Sequence, residues 1–152
     1  EGADLAAHVA HDDHRRARRL ELTGEEAALA RQLLDPAEQT VYRALMDRET
    51  LGPTGVGRGV AIPHARFSGV EHVLGLFVRL EKPVDFESID RQPVDLVFAL
   101  FAPESAGADH LKALARVSRT LRSEAVCNKL RSTFDPSALY AILTDGKAEQ
   151  AA

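Results

Sequence analysis

Gly52-Pro53-Thr54-Gly55-Val56-Gly57-Arg58-Gly59-Val60-Ala61-Ile62-Pro63-His64 is the stretch on which the fold turns. Its glycines follow a helical segment and lead into the apolar triplet Val60-Ala61-Ile62. Dinucleotide folds and P-loops need a strand before the glycines and a helix after them, and no Gly-Lys-Ser/Thr ending is present here. The glycines therefore read as a loop whose backbone turns tightly and packs close beside a strand, not as a nucleotide cradle. Val60-Ala61-Ile62 reads as a short buried strand that ends at Pro63-His64.

Upstream, Asp35-Pro36-Ala37-Glu38 is a sharp helix start: Asp35 caps, Pro36 suits the first helical position and Glu38 completes a capping box. That helix carries Val41, Ala44 and Leu45 on one face, and Gly52-Pro53 stops it. Arg48, seven residues beyond Val41, extends the same face at the C-terminal end. An earlier helix is expected over residues 25–34, where Ala27, Ala28, Leu29 and Ala30 are strong helix formers.

Downstream, residues 74–80 and 94–102 read as buried strands. Their near-continuous apolar character suits strands covered on both faces, as in a largely parallel sheet flanked by helices. A helix follows over residues 108–121, with a stripe of Leu111, Leu114, Ala115 and Leu121 and with Val117 alongside. Ser123 is placed to cap a short helix containing Val126, Cys127 and Leu130. Asp135-Pro136 opens a last helix with Leu139, Ile142 and Leu143 inward, closed near Asp145-Gly146. The pattern is that of a single α/β domain.

The 152 residues suffice for one domain with a real core, and 45% hydrophobic with 28% charged residues is a soluble globular balance. No apolar run approaches the roughly 20 residues that span a bilayer, so no membrane insertion is expected. A net charge of −4 gives no electrostatic reason to expect nucleic-acid binding. The single cysteine, Cys127, excludes an internal disulfide and fits a reducing, cytoplasmic setting. Its apolar spacing within a helix makes it a core residue rather than a nucleophile.

Three residues carry candidate chemistry. His64 stands just past an apolar strand, held by Pro63, where ligand chemistry gathers in open α/β sheets. An ordinary imidazole is largely neutral at pH 7 and can act as a nucleophile, though a histidine there can equally be a structural hydrogen-bonding residue. His110 lies in the first turn of its helix and shares a face with Leu114, Val117 and Leu121. A helix N-terminus favours anions and disfavours an imidazolium; the alternative is a partly buried histidine satisfied by a backbone carbonyl. Arg48 is favourable at a helix C-terminus in any case. His8, His11 and His14 are spaced by three, so two could share a helical face, but no cysteine or carboxylate constellation of metal-site spacing accompanies them. His64, His72 and His110 match no standard zinc spacing. No metal or other cofactor is expected.

Arg48-Glu49-Thr50-Leu51, running into the stretch quoted first, resembles the active-site signature of enzyme IIA domains of the mannitol/fructose type, from the bacterial phosphoenolpyruvate-dependent phosphotransferase system. Pro83-Val84-Asp85-Phe86, Gln92-Pro93-Val94-Asp95-Leu96-Val97-Phe98-Ala99-Leu100 and His110-Leu111-Lys112-Ala113-Leu114-Ala115 continue the likeness, which covers residues 35–143. The run of glycines after Thr54 is closer to the nitrogen-regulatory branch than to the sugar-transport members. The resemblance implies a mixed, mostly parallel sheet with helices on both faces. It implies His64 as the phosphorylated residue, His110 as a residue that holds the phosphoryl group, and Arg48 as a participant in transfer. It also implies an HPr-type phosphocarrier protein as donor, and regulatory target proteins or a IIB domain downstream. Residues 1–22 depart from the family pattern and are expected to be an exposed or partly ordered segment, residues 23–145 the phosphocarrier domain and 146–152 a tail. Two alternatives stand beside a nitrogen-branch regulator: a sugar-specific IIA component, and a binding module that keeps the fold without transfer.

Overall fold

The nine residues Val94–Ala102 form the strand around which the domain is built, and its inward side chains explain why. Val94, Leu96, Phe98, Leu100 and Ala102 alternate along one face and are all buried. The computed structural model describes residues 6–11 and 36–145. In chain order the described elements are β1 (Ala6–His11), α1 (Pro36–Thr50), β2 (Gly55–Gly57), β3 (Val60–Ala61), β4 (His64–Arg66), β5 (Leu74–Val84), β6 (Val94–Ala102), α2 (Gly107–Arg122), α3 (Glu124–Ser132) and α4 (Pro136–Asp145).

The six strands make one sheet in the order β1-β5-β6-β3-β2, with β4 also paired to β6. β1–β5, β3–β6 and β4–β6 are parallel, whereas β5–β6 and β2–β3 are antiparallel. The expected single α/β domain with a mixed, mostly parallel sheet and flanking helices is thus what the chain forms. β5 departs from the expected buried run: its side chains largely alternate between buried and partly exposed, because it pairs antiparallel to β6 as an extended hairpin arm. Ala6–His11 was expected in an exposed segment, yet it forms a strand in register with Leu74 to Arg79. The helix expected over residues 25–34, the cap Asp35 and His14 lie outside the described residues.

Apolar faces of α2, α3 and α4 close over the sheet. Val117 and Leu121 of α2, Cys127 and Leu130 of α3 and Leu139 of α4 pack with Phe77, Leu96, Phe98 and Leu100 in one cluster. Truncating one of these large buried side chains to Ala costs about 2–5 kcal/mol, a large share of a domain's net stability. The local signals act as expected at two junctions. The Ser123 side chain accepts from Val126 N–H, and the Asp135 carboxylate accepts from Ala138 N–H, so both helix starts have a satisfied donor. Cys127 is buried, donates to the Leu121 carbonyl, and has its thiol pKa pushed up by that burial, as a core residue should. The stripe expected on α2 is corrected: Leu111 is 64% exposed and Ala115 is exposed, while His110, Val117 and Leu121 face inward. No helix among the described residues is long and apolar enough to cross a membrane.

Candidate functional site

The glycine-rich segment makes a tight hairpin rather than an open loop. β2 and β3 pair antiparallel around Arg58, which adopts φ +56°, and Gly59, at φ +76°. A Cβ on Gly55 would lie 2.4 Å from Ser88 Oγ and 2.9 Å from Ser88 Cα, so only glycine lets the two backbones approach this closely. At the far side of the turn, Arg131 donates to both oxygens of Asp95 and to the Arg58 carbonyl, fastening the hairpin to α3. This close packing fixes the line of β3 along β6, with Val60 opposite Leu96.

Pro63 then interrupts that line. It has no N–H to give to the ladder, but its carbonyl accepts from Leu100 N–H at 2.9 Å, and pairing resumes with His64 opposite Leu100. His64 is therefore just past the end of β3, as expected, and is also the first residue of a further strand, β4, that continues along β6. α1 packs against β4 and brings Arg48 from its last turn. β6 ends at Ala102, and the short connection to α2 places His110 in the first turn of that helix, with its N–H donating to the Ala106 carbonyl at 2.8 Å.

The three residues singled out from the sequence meet in one cleft of about 710 Å³. Arg48 Nε donates to His64 Nε2 at 3.1 Å, and Arg48 Nη1 donates to the Gly52 carbonyl at 3.1 Å. His64 Nδ1 lies 2.8 Å from the Ile62 carbonyl. A guanidinium only donates and a carbonyl only accepts, so the ring proton sits on Nδ1 and the lone pair on Nε2. The His64 and His110 rings lie with centroids 5.5 Å apart, tilted by 43°.

His110 is 7% exposed, and its Nδ1 is buried with no hydrogen-bond partner among the described residues. The backbone-carbonyl partner that would make it a purely structural histidine is thus not found on that nitrogen. Burial pushes its pKa down, and the nearby charges of His64 and Arg66 push it the same way. A neutral His110 keeps one ring N–H to donate.

Arg66, at the end of β4, lines the same cleft on the α2 side and was not foreseen; it is exposed. Asp47 and Glu104 also line the cleft, so its potential is mixed rather than uniformly positive. Leu51 and Leu111 supply apolar rim and are 83% and 64% exposed. His72 is exposed on the turn before β5 and does not line the cleft; His8 and His11 lie on β1 rather than on a helix.

The sequence matches the family of the phosphoenolpyruvate-dependent sugar phosphotransferase system, EIIA 2, over residues 25–146. It is 55% identical over 119 residues to a nitrogen regulatory protein of Bradyrhizobium diazoefficiens, covering 78% of each chain. To a nitrogen regulatory protein of Escherichia coli K12 it is 42% identical over 129 residues, covering 84% of this chain and 77% of that one. The crystal structure of nitrogen regulatory protein IIA-Ntr from Neisseria meningitidis superposes with a TM-score of 0.70 at 32% identity, covering 91% of this chain and 92% of that one. On the strength of the family match and of these identities, the chain belongs to the EIIA 2 family of the phosphoenolpyruvate-dependent sugar phosphotransferase system.

Proposed function

We propose that this protein is a phosphohistidine carrier of the nitrogen-regulatory branch, accepting a phosphoryl group on His64 from an HPr-type protein in the cytoplasm. The observation that carries the proposal is the oriented imidazole. His64 holds its proton on Nδ1 against the Ile62 carbonyl and turns Nε2 toward Arg48 within a cleft open to a partner.

In the proposed step the Nε2 lone pair attacks phosphorus in line with the donor's nitrogen. The new N–P bond forms as the donor's N–P bond breaks, and the departing imidazole keeps the electron pair. Nδ1 keeps its proton throughout, and the Ile62 carbonyl stabilises the positive charge that develops on the ring. In the resting site the Arg48 guanidinium occupies the Nε2 lone pair. Arriving phosphoryl oxygens draw it off, so the same cation that guards the nucleophile neutralises the charge on the oxygens in transit. Neutral His110 donates a hydrogen bond to one of those oxygens. Transfer of this kind depends on positioning and charge stabilisation, which the cleft supplies.

The regulatory assignment is supported by the nitrogen regulatory proteins among the relatives. A phosphoryl group brings a charge of about −2 to an exposed cleft and so changes which protein surfaces it accepts, whether those of regulatory targets or of a IIB domain. The test is a reconstituted relay of phosphoenolpyruvate, enzyme I and HPr-type carriers of the nitrogen and sugar branches, with wild type and His64→Ala. The expected result is an acid-labile, alkali-stable phosphate on wild type alone, acquired faster from the nitrogen-branch donor. Faster transfer from the sugar-branch donor would assign the protein to transport, and no label from either would leave a binding module.

A further inference from the structure

Glu49 stands where a carboxylate does a helix no good. It lies in the last turn of α1, whose dipole disfavours negative charge. Both of its oxygens are committed to a single residue: Thr54 N–H donates to Oε1 at 2.9 Å, and the Thr54 hydroxyl donates to Oε2. Thr54 is 3% exposed, and its own carbonyl accepts the Ile62 N–H at 2.9 Å. Ile62 is also fixed from its other side, because Pro63 biases its ψ to the extended region and its side chain is buried. With its N–H held and its ψ restricted, the Ile62 carbonyl has one direction, the one that accepts the Nδ1 proton of His64 at 2.8 Å. The preceding residue, Arg48, reaches Nε2 of the same ring. Both nitrogens of His64 are thereby tied to one helix terminus, one directly by Arg48 and one from Glu49 through Thr54 and Ile62.

We infer that Glu49 and Thr54 are positioning residues for phosphoryl transfer, holding the Ile62 carbonyl that keeps the His64 proton on Nδ1. With that acceptor misplaced only the Arg48 donor still opposes a proton on Nε2, so the second tautomer becomes populated. Molecules with a protonated Nε2 have no lone pair there with which to attack. The kinetic consequence rests on the proposed phosphoryl chemistry of His64, whereas the tautomeric consequence does not.

The experiment compares Glu49→Gln, Thr54→Val and Thr54→Ser with wild type by two readouts. One is the 15N spectrum of the His64 ring in the unphosphorylated protein. The other is single-turnover transfer from a phosphorylated HPr-type donor, followed from low to saturating donor concentration. Glu49→Gln removes the charge and leaves one accepting oxygen, so that the Thr54 hydroxyl has to reverse and accept from the amide NH2 in a weaker, neutral contact, and Thr54→Val removes the hydroxyl. Both are expected to show a mixed His64 tautomer and a transfer rate lowered about ten- to a hundredfold, with donor KM unchanged. Thr54→Ser keeps both donors and restores wild-type behaviour. Should Glu49→Gln fail to fold, the Thr54→Val and Thr54→Ser pair decides alone. Variants that merely melt earlier, with His64 still protonated wholly on Nδ1 and transfer unchanged, would overturn the inference. If wild type accepts no phosphate the functional proposal fails, and the ring spectrum still decides the positioning role.

Discussion

Replacing Arg48 by Ala separates catalysis from stability, because the structure gives that side chain two distinct hydrogen bonds. Its Nη1 bond to the Gly52 carbonyl closes the end of α1, and losing it from a half-buried side chain costs about 0.5–1.5 kcal/mol. For a chain of this length, 1 kcal/mol corresponds to a Tm lower by roughly 2–4 °C. In the proposed transfer its Nε, now bonded to His64 Nε2, is the group that meets the phosphoryl oxygens, and removing one preorganised donor from a transition state costs about 2.7–4 kcal/mol. The opposing effect is that alanine frees the Nε2 lone pair in the resting state, which returns about 1 kcal/mol. The remainder, about 1.7–3 kcal/mol, lowers the transfer rate roughly eighteen- to 160-fold at 1.36 kcal/mol per decade. Rapid-quench single turnovers with a phosphorylated donor measure the rate, and a thermal melt of the same sample measures the cost in stability. Arg48→Lys supplies a charge without the planar fork and recovers only part of the loss. A rate within threefold of wild type in Arg48→Ala, at an intact melting transition, would refute the role given to this residue.

His110 predicts a pH dependence whose sign follows from its environment. Burial and neighbouring charge hold its pKa in the fold below the ordinary imidazole value of about 6.5, so between those two values the unfolded chain binds more protons than the folded one. Its contribution to stability is complete above about pH 6.5 and is lost as pH falls through the folded pKa. Melting curves from pH 8 to pH 5 should decline less steeply in acid for His110→Gln than for wild type; parallel curves would contradict the burial assigned to the ring. Gly55→Ala drives a Cβ to within 2.4 Å of Ser88 Oγ and 2.9 Å of Ser88 Cα, where backbone leaves little room to yield. The expected cost is about 1–3 kcal/mol in a denaturant melt, and an unchanged midpoint would show that the hairpin is not as tightly packed as described.

The candidate site was legible in the sequence to the extent that its residues sit at element ends. Pro36, Gly52-Pro53 and Ser123 punctuate the chain and place the elements that carry Arg48, His64 and His110, but residue by residue each kept a structural alternative, and it was the family resemblance that grouped the three. What escaped the reading did so for physical reasons. The face shared by His110, Leu114, Val117 and Leu121 was read correctly from spacings of four, seven and eleven, whereas Leu111 and Ala115 were added to the α2 stripe by apolarity although each lies about 100° round the helix from its inward neighbour. β2 was read as loop because its three residues are Gly55, Val56 and Gly57, whose propensity opposes a strand; close approach to Ser88 rather than propensity makes the hairpin. β1 carries His8 and His11 among alanines and a single valine, with no apolar run to announce it, and takes its strand form from pairing with β5. Glu49 and Thr54 were overlooked because nothing local ties a carboxylate at a helix end to a threonine five residues on. The one clue was the mismatch between Glu49 and the helix dipole.

The most direct test of the account is a nitrogen-resolved NMR spectrum of the protein after phosphorylation by its donor. The account predicts phosphorus coupled to Nε2 of His64, with Nδ1 of the same ring still protonated. A phosphoryl group on Nδ1 of His64 would contradict it, because that requires a ring orientation opposite to the one that Arg48 and Ile62 hold, and a phosphoryl group on His110 would contradict it by making the other histidine the nucleophile.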